Sequence, residues 1–514
     1  MPLNEITINK GQGGLGRPLE GTDYISGLIV YTDATLPTGF ASNDRTKIVY
    51  SVEEAEDLGI TNAHLGETKS ACKIVIAGTP GIGDTLTVTY TGIDGLETVL
   101  PTYALVSGEQ TSATTAGAAW VREINAGTVN HGFTAVNASG TITLTTKGGE
   151  GIFPNTGTPY AVAVTGGSTA TLTQPTGSGG TVLGIASDID IQHYHISEFF
   201  RLQPKGKLYV SLQALADVGT FSKITTLQNF AVGEIKQLGI YYKSTAFVTA
   251  HCTTIQAILD TLETNHKPIS SVILSGEISG TASLAGYTTN LHTLTASGVS
   301  VTIGQDGANT GNHIFKATGK SITNLGQVLG SVAKSSVSQS IAWVGGFKVN
   351  STELNTIAFA NGEKYNDLSD GVIANLDSYG FLFLRNYVGT SGTYHNRPYT
   401  AVALTSDYAF IYLNRTIDKF IANVRATVLP ALGSNVKLNT DGTLSGDAIN
   451  SFKSLAQQGG DVLLRAGELS DYAIIIDPSQ DILSTNTLTI TAQLLPLGVA
   501  DFITINVGFT TSLS

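Results

Sequence analysis

Three glycines near the amino terminus have the spacing of a dinucleotide-binding loop. Gly11, Gly13 and Gly16 match G-x-G-x-x-G, in which glycines let the backbone approach a pyrophosphate at the start of a helix. The surrounding residues do not fit that use, because no strand precedes the motif and Pro18 follows where a helix should already be under way. We therefore predict a turn-forming or flexible arm here.

Two further patterns resemble a phosphate loop and a calcium loop. Gly319-Lys320-Ser321 resembles the end of a P-loop, but Ile314 stands where that loop requires its first glycine. The alternating oxygen side chains of residues 439–447 resemble calcium ligands, yet the glycine is at the fourth position of the loop and no glutamate closes it. This pattern is more typical of a turn before a helix, so no cofactor is predicted.

The histidines and cysteines do not form a predicted metal site. His193 and His195 have the spacing of a chelating pair on a strand, but the stretch 192–200 reads better as an amphipathic helix. The chain contains two cysteines, Cys72 and Cys252, in different kinds of segment. They are expected to be buried free thiols rather than a disulfide or a metal-binding pair.

No catalytic group is predicted either. The chain contains no G-x-S-x-G elbow, and acidic pairs such as Asp188 and Asp190 are expected by chance among 40 acidic residues. If the chain were an α/β enzyme, its ligand should lie beyond the carboxyl ends of strands, near His251 or Asp306. We therefore expect a protein that is not an enzyme.

The composition favours an assembling protein. Charged residues make up 13% of the chain, against about 25% in typical proteins, while 41% are hydrophobic and 58 residues are glycine. A surface short of charge is expected to face other protein. The net charge of −12 and the absence of a basic run argue against nucleic acid as a partner. Without a long apolar run, no membrane insertion is predicted, and the chain is expected to fold in a cytosol.

The order of predicted elements divides the chain into four parts. Residues 1–65 contain an arm, a strand at 24–31 and an acidic helix capped by Ser51. Residues 66–185 show Thr-rich alternation, which predicts an inserted β-rich domain with one helix near 115–126. Residues 186–365 alternate between strand and helix and predict an α/β layer. That layer has strands at 207–211, 240–249, 269–274 and 299–303, and helices at 224–238, 254–262 and 282–295.

Residues 366–514 form the fourth part. Two helices are predicted, at 416–429 and at 445–457, the second ending at Gly459-Gly460. Strands are predicted at 381–387, 402–413, 472–476, 488–495 and 502–507. The last strand is suited to adding to the sheet edge of a neighbouring molecule.

Several short motifs follow one another in this carboxyl half. They are Y-H-N-R (394–397), N-R-T-I-D-K (414–419), L-P-A-L-G (429–433), G-E-L-S (467–470) and L-L-P-L-G (494–498). Their order resembles the tail-sheath proteins of contractile phages and of phage-like contractile injection systems, in which an R-T-I-D helix and a closing P-x-G hairpin recur. The segment 194–210 is similar to the start of the sheath α/β domain. The resemblance covers about 1–60 and 186–514 and leaves the insertion 66–185 aside.

The resemblance implies an α/β layer and a carboxyl-terminal α+β sheath core with extended amino- and carboxyl-terminal strand arms. With the β-rich domain that the Thr-rich alternation predicts as an insertion, the expected fold class is multidomain α+β. The arms would span about 8–31 and 500–511 and add strands to neighbouring subunits. Their predicted strand residues are Tyr24, Ile25, Leu28, Ile29, Val30, Phe502, Ile503, Ile505 and Val507.

The implied function is that of a sheath subunit in a virion tail, made in the cytoplasm of a host bacterium. Copies of the chain would assemble, as hexameric rings, into a helical sheath around an inner tail tube protein, with baseplate and tail terminator proteins at its ends. Contraction would rearrange subunits as rigid bodies and drive the tube through a cell envelope. No nucleotide is needed for such a device.

A charged helix is a candidate contact for the inner tube. Arg415, Asp418, Lys419 and Arg425 lie on one predicted helix, and Arg415 and Lys419 share a face. This face would meet an acidic inner tube, or it would simply be solvated. A β-rich tail fibre or adhesin is the alternative function, which the Thr- and Gly-rich insertion favours and the absence of an internal repeat disfavours.

Overall fold

The computed structural model of the protein describes residues 21–32, 35–243, 245–349, 356–505, 507 and 509. The glycine motif at 11–16 and residues 8–20 of the predicted amino-terminal arm lie outside the described residues. The protein has a mixed α+β fold with several sheets. None of the helices in the described part of the chain has the length and apolar composition needed to cross a membrane.

The first third of the chain contains ten strands and three helices within the described residues. They are β1 (Ser26–Tyr31), β2 (Thr46–Val49), α1 (Val52–Asp57), β3 (Ala71–Gly78), β4 (Thr85–Thr91), β5 (Glu97–Val99), β6 (Tyr103–Ala104), α2 (Ala113–Ala126), α3 (Thr128–His131), β7 (Thr134–Ala138), β8 (Thr141–Thr145), β9 (Tyr160–Val164) and β10 (Ser168–Thr173). The predicted cap of α1 is confirmed, because the Ser51 side chain accepts a hydrogen bond from Glu54 N at 3.2 Å.

Strands and helices alternate in the middle of the chain and then give way to a helical pair and a hairpin. The elements are α4 (Asp188–Leu202), β11 (Leu208–Gln213), α5 (Lys223–Phe230), β12 (Gln237–Tyr241), α6 (Thr249–Thr264), β13 (Ser271–Ser275), β14 (Thr295–Ala296), β15 (Val299–Thr302), β16 (Gly304–Asp306), α7 (Thr310–Thr318), α8 (Leu325–Lys334), β17 (Ile357–Phe359), α9 (Asp370–Ser378), β18 (Leu384–Tyr387), β19 (Thr390–His395), β20 (Ala401–Val402), α10 (Ile411–Val428), α11 (Gly446–Arg465), β21 (Asp471–Ile475), α12 (Ile482–Thr485) and β22 (Thr491–Leu495).

A six-stranded sheet with the order β15-β13-β12-β1-β11-β2 organises the main body. All its pairings are parallel except that of the edge strand β2, which runs antiparallel to β11. Both faces are covered: Ile29 and Tyr31 of β1 pack in one core with α5 and α6, while Leu28 and Val30 pack in the other with α4 and α8. Parallel strands buried on both faces are expected to be continuously apolar, as β1 is.

The position of β1 corrects the predicted amino-terminal arm. Ile25, Leu28, Ile29 and Val30 are almost completely buried, and Tyr24 packs against the same core. Strand β1 has its own partners on both sides, since it pairs with β11 and with β12. Leu28, Ile29 and Val30 therefore cannot add a strand to a neighbouring subunit, because their backbone hydrogen bonds are already made within the chain. Tyr24 and Ile25 lie directly before this strand, with their side chains packed in or against the same core.

The Thr-rich region folds around a core of its own. Its strands form two four-stranded sheets, β10-β3-β8-β7 and a second built on β4, and helix α2 packs with them around Trp120, Tyr90 and Phe133. The two ends of this region lie side by side, since Thr68 N donates a hydrogen bond to Ile185 O at 2.9 Å. This is the geometry expected of a segment inserted into a loop.

Glycines 459 and 460 do not end the second carboxyl-terminal helix, contrary to the prediction. Helix α11 continues through them to Arg465 and crosses α10 there. A Cβ on Gly459 would lie 2.6 Å from the Cα of Val424, and one on Gly460 would lie 2.6 Å from the Tyr472 ring. The two residues are therefore glycine because the helices approach closely, and not because the helix stops.

Three other predicted elements differ from the structure. The helix predicted at 224–238 ends at Phe230, because the chain turns there and enters β12. The helix predicted at 282–295 is replaced by two short 3₁₀ turns. The strand predicted at 402–413 is divided between β20 and the start of α10.

Candidate functional site

The two histidines with chelating spacing lie on helix α4, as the amphipathic pattern predicts, and they occupy different environments. His193 Nε2 lies 2.9 Å from Glu56 Oε1 at the surface, whereas His195 is completely buried beside the Tyr241 ring. Burial lowers the pKa of His195 to about 3. No group of three or more metal-ligating side chains forms within the described ranges.

The cysteines, Asp306 and His251, which an enzyme could use for catalysis, are buried or hydrogen-bonded within the fold. Both cysteines are buried, and burial raises the pKa of each thiol, Cys72 and Cys252, to about 12. The Asp306 carboxylate accepts N–H groups of Asn309 at 2.9 Å and Gly311 at 2.5 Å, although burial raises its pKa. This carboxylate caps the start of α7. His251 Nδ1 lies 3.0 Å from the Tyr242 hydroxyl.

Arg415 does not face outward as the charged-helix prediction requires. Its guanidinium is buried, and it donates to Ser335 Oγ at 2.8 Å, Ser335 O at 3.2 Å and Ser336 O at 3.3 Å. These acceptors stand at the carboxyl end of α8, where a cation stabilises the unsatisfied carbonyls. Burial lowers the pKa of Arg415 to about 10.

The other residues of the predicted charged face differ in exposure. Lys419 Nζ pairs with Asp23 at 2.6 Å and with Glu468 at 2.7 Å, so it links α10 to the start of the chain. Asp418 is partly buried, and burial raises its pKa to about 6. Arg425 is exposed. The predicted inner-tube face is therefore wrong for Arg415, and Arg425 stays available for such a contact.

The carboxyl-terminal arm (residues 500–511) presents unusually exposed apolar side chains. The structure describes its residues 500–505, 507 and 509, and it places none of these in a strand. The exposed fractions are 82% for Phe502, 79% for Ile503, 79% for Ile505, 90% for Val507 and 112% for Phe509. Residues 503, 505, 507 and 509 alternate with polar or small residues, a period that suits a strand with one apolar face.

Arg397 anchors the beginning of this arm. Its Nε and Nη2 donate to Asp501 Oδ2 at 3.1 and 2.6 Å, and its Nη1 donates to the Tyr399 hydroxyl at 2.8 Å. The guanidinium carbon also lies 5.0 Å from the Tyr399 ring, 5.1 Å from the Phe410 ring and 5.3 Å from the Phe502 ring. Aromatic faces around a guanidinium add cation–π attraction to the ion pair.

A groove of 890 Å³ lies beside the anchor, between the loop 338–345 and the arm. The Arg385 guanidinium stacks on the Tyr387 ring at 4.3 Å, and its Nε has no hydrogen-bond partner among the described residues. Trp343, about half-exposed, lines the same groove. Partly exposed Trp, Tyr and Arg side chains around one groove are typical of protein–protein contacts.

The hairpin β21–β22 lies immediately before the arm in sequence. The two strands pair only with each other in the described part of the chain, so each has a free outer edge. Ile475 and Leu495 are about half-exposed on it. An unpaired edge of this kind accepts a strand from another segment.

Two protein-family models together match most of the chain. The sequence model of the DUF2586 N-terminal domain matches residues 101–397, and that of the DUF2586 C-terminal domain matches residues 407–514. The chain belongs to the DUF2586 family. No curated protein matches it. Arg397 is the last residue of the first matched domain and Asp501 lies in the second, so the anchor joins the two DUF2586 domains.

Solved structures similar to this DUF2586 protein are sheath proteins of contractile machines. The helical sheath of the anti-feeding prophage in its contracted state is 17% identical, covering 62% of this chain and 81% of that one, with a TM-score of 0.44. The contracted sheath complex of the extracellular contractile injection system PVC is 14% identical, with coverages of 62% and 80% and a TM-score of 0.41. A sheath tail protein from Listeria innocua is 12% identical, with coverages of 93% and 96% and a TM-score of 0.38.

The arm anchor was not found by sequence reasoning. Arg397 stands in the Y-H-N-R motif, but nothing in the sequence pairs it with Asp501, which is 104 residues away. The available signal was indirect: an isolated aspartate directly before an alternating apolar run near the chain end of this DUF2586 protein.

Proposed function

We propose that this protein is a structural, non-enzymatic subunit of a contractile sheath, in a phage tail or in a phage-like injection system. Copies of the chain assemble into a helical tube around an inner tail tube protein, between a baseplate and a tail terminator. Subunits rearrange as rigid bodies during contraction, and the sheath drives the inner tube through a cell envelope.

The observation that carries this proposal is the exposed carboxyl-terminal arm. Its apolar side chains have the alternation of a half-buried strand, and nothing in the described part of the same chain covers them. Monomeric proteins rarely expose so many adjacent large apolar residues. A second copy supplies what the arm lacks, because the hairpin β21–β22 has free edges for strand addition.

The ordered motifs of the carboxyl half and the shortage of charge support the same proposal. A subunit that is covered by neighbours on several sides needs fewer ionic groups than a free one, and 13% of this chain is charged. In this arrangement the sheet body and the helices α10 and α11 form the inner sheath, and residues 66–185 form an outer domain. Arg425 is the remaining charged candidate on α10 for an inner-tube contact.

Electron microscopy of the purified full chain at increasing concentration tests the proposal. The wild-type protein should form rings or hollow striated tubes, alone or with the inner tube protein. The double variant Ile503→Asp/Ile505→Asp should remain as single particles, because charge on the apolar face of the added strand opposes its burial.

The control is Thr504→Asp, which places one aspartate on the opposite face of the strand. This variant should assemble like the wild type. Single particles of the wild-type protein at every concentration, with the inner tube protein present, would contradict the sheath proposal.

A further inference from the structure

The arm leaves the body of the protein from a single point. Between 497 and 505, Asp501 is the only residue with a hydrogen bond or ion pair to the rest of the described chain. Its side chain is 19% exposed, whereas that of the following Phe502 faces solvent. The ion pair at Asp501, together with the Phe502 ring 5.3 Å from the same guanidinium, therefore fixes the position from which the arm leaves the body.

This point is connected to the core by a chain of hydrogen bonds. The Tyr399 hydroxyl, which accepts from Arg397, donates to Asp377 Oδ2 at 3.1 Å. Asn396 Nδ2 donates to Asp377 Oδ1 at 2.9 Å and to Phe381 O at 2.8 Å, and Phe381 lies in the core of the six-stranded sheet. The body of the protein thus holds the Arg397 side chain through the Tyr399 hydroxyl and through the Tyr399 and Phe410 rings.

The arm has a competing partner in its own chain. Strand β22 ends at Leu495 with a free outer edge, and the arm resumes an apolar alternation at Phe502. The intervening Pro496-Leu497-Gly498 contains the residues that favour a tight turn. Folding back onto β22 closes only a short loop, and short flexible links give effective concentrations on the order of millimolar. Such a fold-back would use up the strand that a neighbour needs.

We propose that Arg397 is a positioning residue that keeps the arm open. By holding Asp501 against the Tyr399 and Phe410 rings, it prevents residues 502–505 from pairing with β22 of the same chain. The arm then remains available to the hairpin of a second copy, and this part of the inference rests on the proposed sheath function. The prevention of fold-back itself concerns the monomer and stands without it.

Hydrogen exchange of the full-length monomer, at a concentration below that of assembly, tests the first part. In the wild-type protein the amides of the arm should exchange rapidly. In the variants Asp501→Asn and Arg397→Gln the same amides should exchange more slowly, by a factor of up to about ten, because the released arm pairs with β22. The charge-swapped double variant Arg397→Glu/Asp501→Lys should restore rapid exchange.

Arg385→Gln is the matched control, since Arg385 lines the same groove but does not contact Asp501. It should leave the exchange of the arm unchanged. Electron microscopy of the same set of proteins should show fewer polymers for the two single variants and recovery in the charge-swapped one.

The outcomes separate the two proposals. Unchanged arm exchange in both Asp501→Asn and Arg397→Gln would overturn the positioning role, even if assembly were lost. Slowed exchange with recovery by the charge swap would support that role, even if the wild-type protein formed no polymer and the sheath proposal failed.

Discussion

At the scale of single residues, burial decides the role of a charge more than its position on a helix does. Arg415 and Arg425 lie on the same helix, yet one is buried against the end of α8 and the other faces solvent. Sequence spacing correctly places both on α10 but cannot say which side of α10 is covered. An apolar environment makes the hydrogen bonds of a buried guanidinium important, because losing them leaves carbonyls unsatisfied.

Arg415→Met should therefore destabilise the folded protein. We expect the free energy of unfolding to fall by about 2–4 kcal/mol, since the methionine fills the space but removes the donor to the Ser335 carbonyl and hydroxyl oxygens. Urea unfolding of the monomer measures this change. The control, Arg425→Met, should unfold like the wild type. If both variants matched the wild type, the capping role of Arg415 would be wrong.

Two buried histidines should make stability depend on pH. Burial lowers the pKa of His195 and of His395 to about 3, below the value of about 6.5 expected in the unfolded chain. The unfolded state therefore binds more protons, and stability should fall as pH decreases from about 6.5 towards about 3. For two such groups, the free energy of unfolding should change by up to about 2.7 kcal/mol per pH unit in this range.

Urea unfolding at a series of pH values tests this expectation. His195→Leu should reduce the slope by about half, because one of the two titrating groups is removed. Val129→Ala, at an exposed position without a titrating group, provides the control and should leave the slope as it is. An unchanged slope in His195→Leu would show that other groups govern the acid response.

At the scale of elements, the crossing of α10 and α11 depends on two glycines. A side chain at 459 would meet the backbone of Val424, while Gly446, in the first turn of the same helix, has open space around it. The cost of a new methyl group at a close contact exceeds the gain in helix propensity from alanine.

Gly459→Ala should thus lower the free energy of unfolding by about 1–3 kcal/mol, whereas Gly446→Ala should leave it equal or raise it by up to about 1 kcal/mol. Thermal and urea unfolding of both variants measure the difference. Equal stability of the two variants would contradict the close helix contact at Gly459.

At the scale of the whole molecule, residues 66–185 have the features of a unit that folds alone. They have a separate hydrophobic core, and their ends lie side by side. A core of aromatic and aliphatic side chains in a segment of this size is compatible with independent folding. The segment contains one of the two tryptophans of the chain, Trp120, which is buried and donates to Tyr103 O at 3.0 Å.

The isolated fragment 66–185 should unfold cooperatively, with Trp120 fluorescence as the probe. Phe133→Ala should lower its free energy of unfolding by about 3–5 kcal/mol, because a large buried ring is removed. Val129→Ala should have little effect, because Val129 is exposed. A fragment without a cooperative transition would show that the insertion depends on the main body.

The sequence by itself determined the features that arise from local patterns. Apolar periodicity placed helices α2 and α4, and period-two alternation indicated the strands of the insertion, because both signals are contained within a few turns or residues. The helix cap at Ser51 was predictable for the same reason. The motifs of the carboxyl half indicated a sheath-like structural protein, but they did not say which of their side chains are buried.

Only the tertiary structure decided which partners these local elements take. Strand β1 has the apolar sequence of an arm or of a central strand, and its place between β11 and β12 depends on strands about two hundred residues away. The burial of Arg415, the close approach at Gly459 and the bond between Arg397 and Asp501 depend likewise on contacts distant in sequence. Such contacts form only once packing has brought the segments together. The periodicity or spacing of one segment therefore does not predict them.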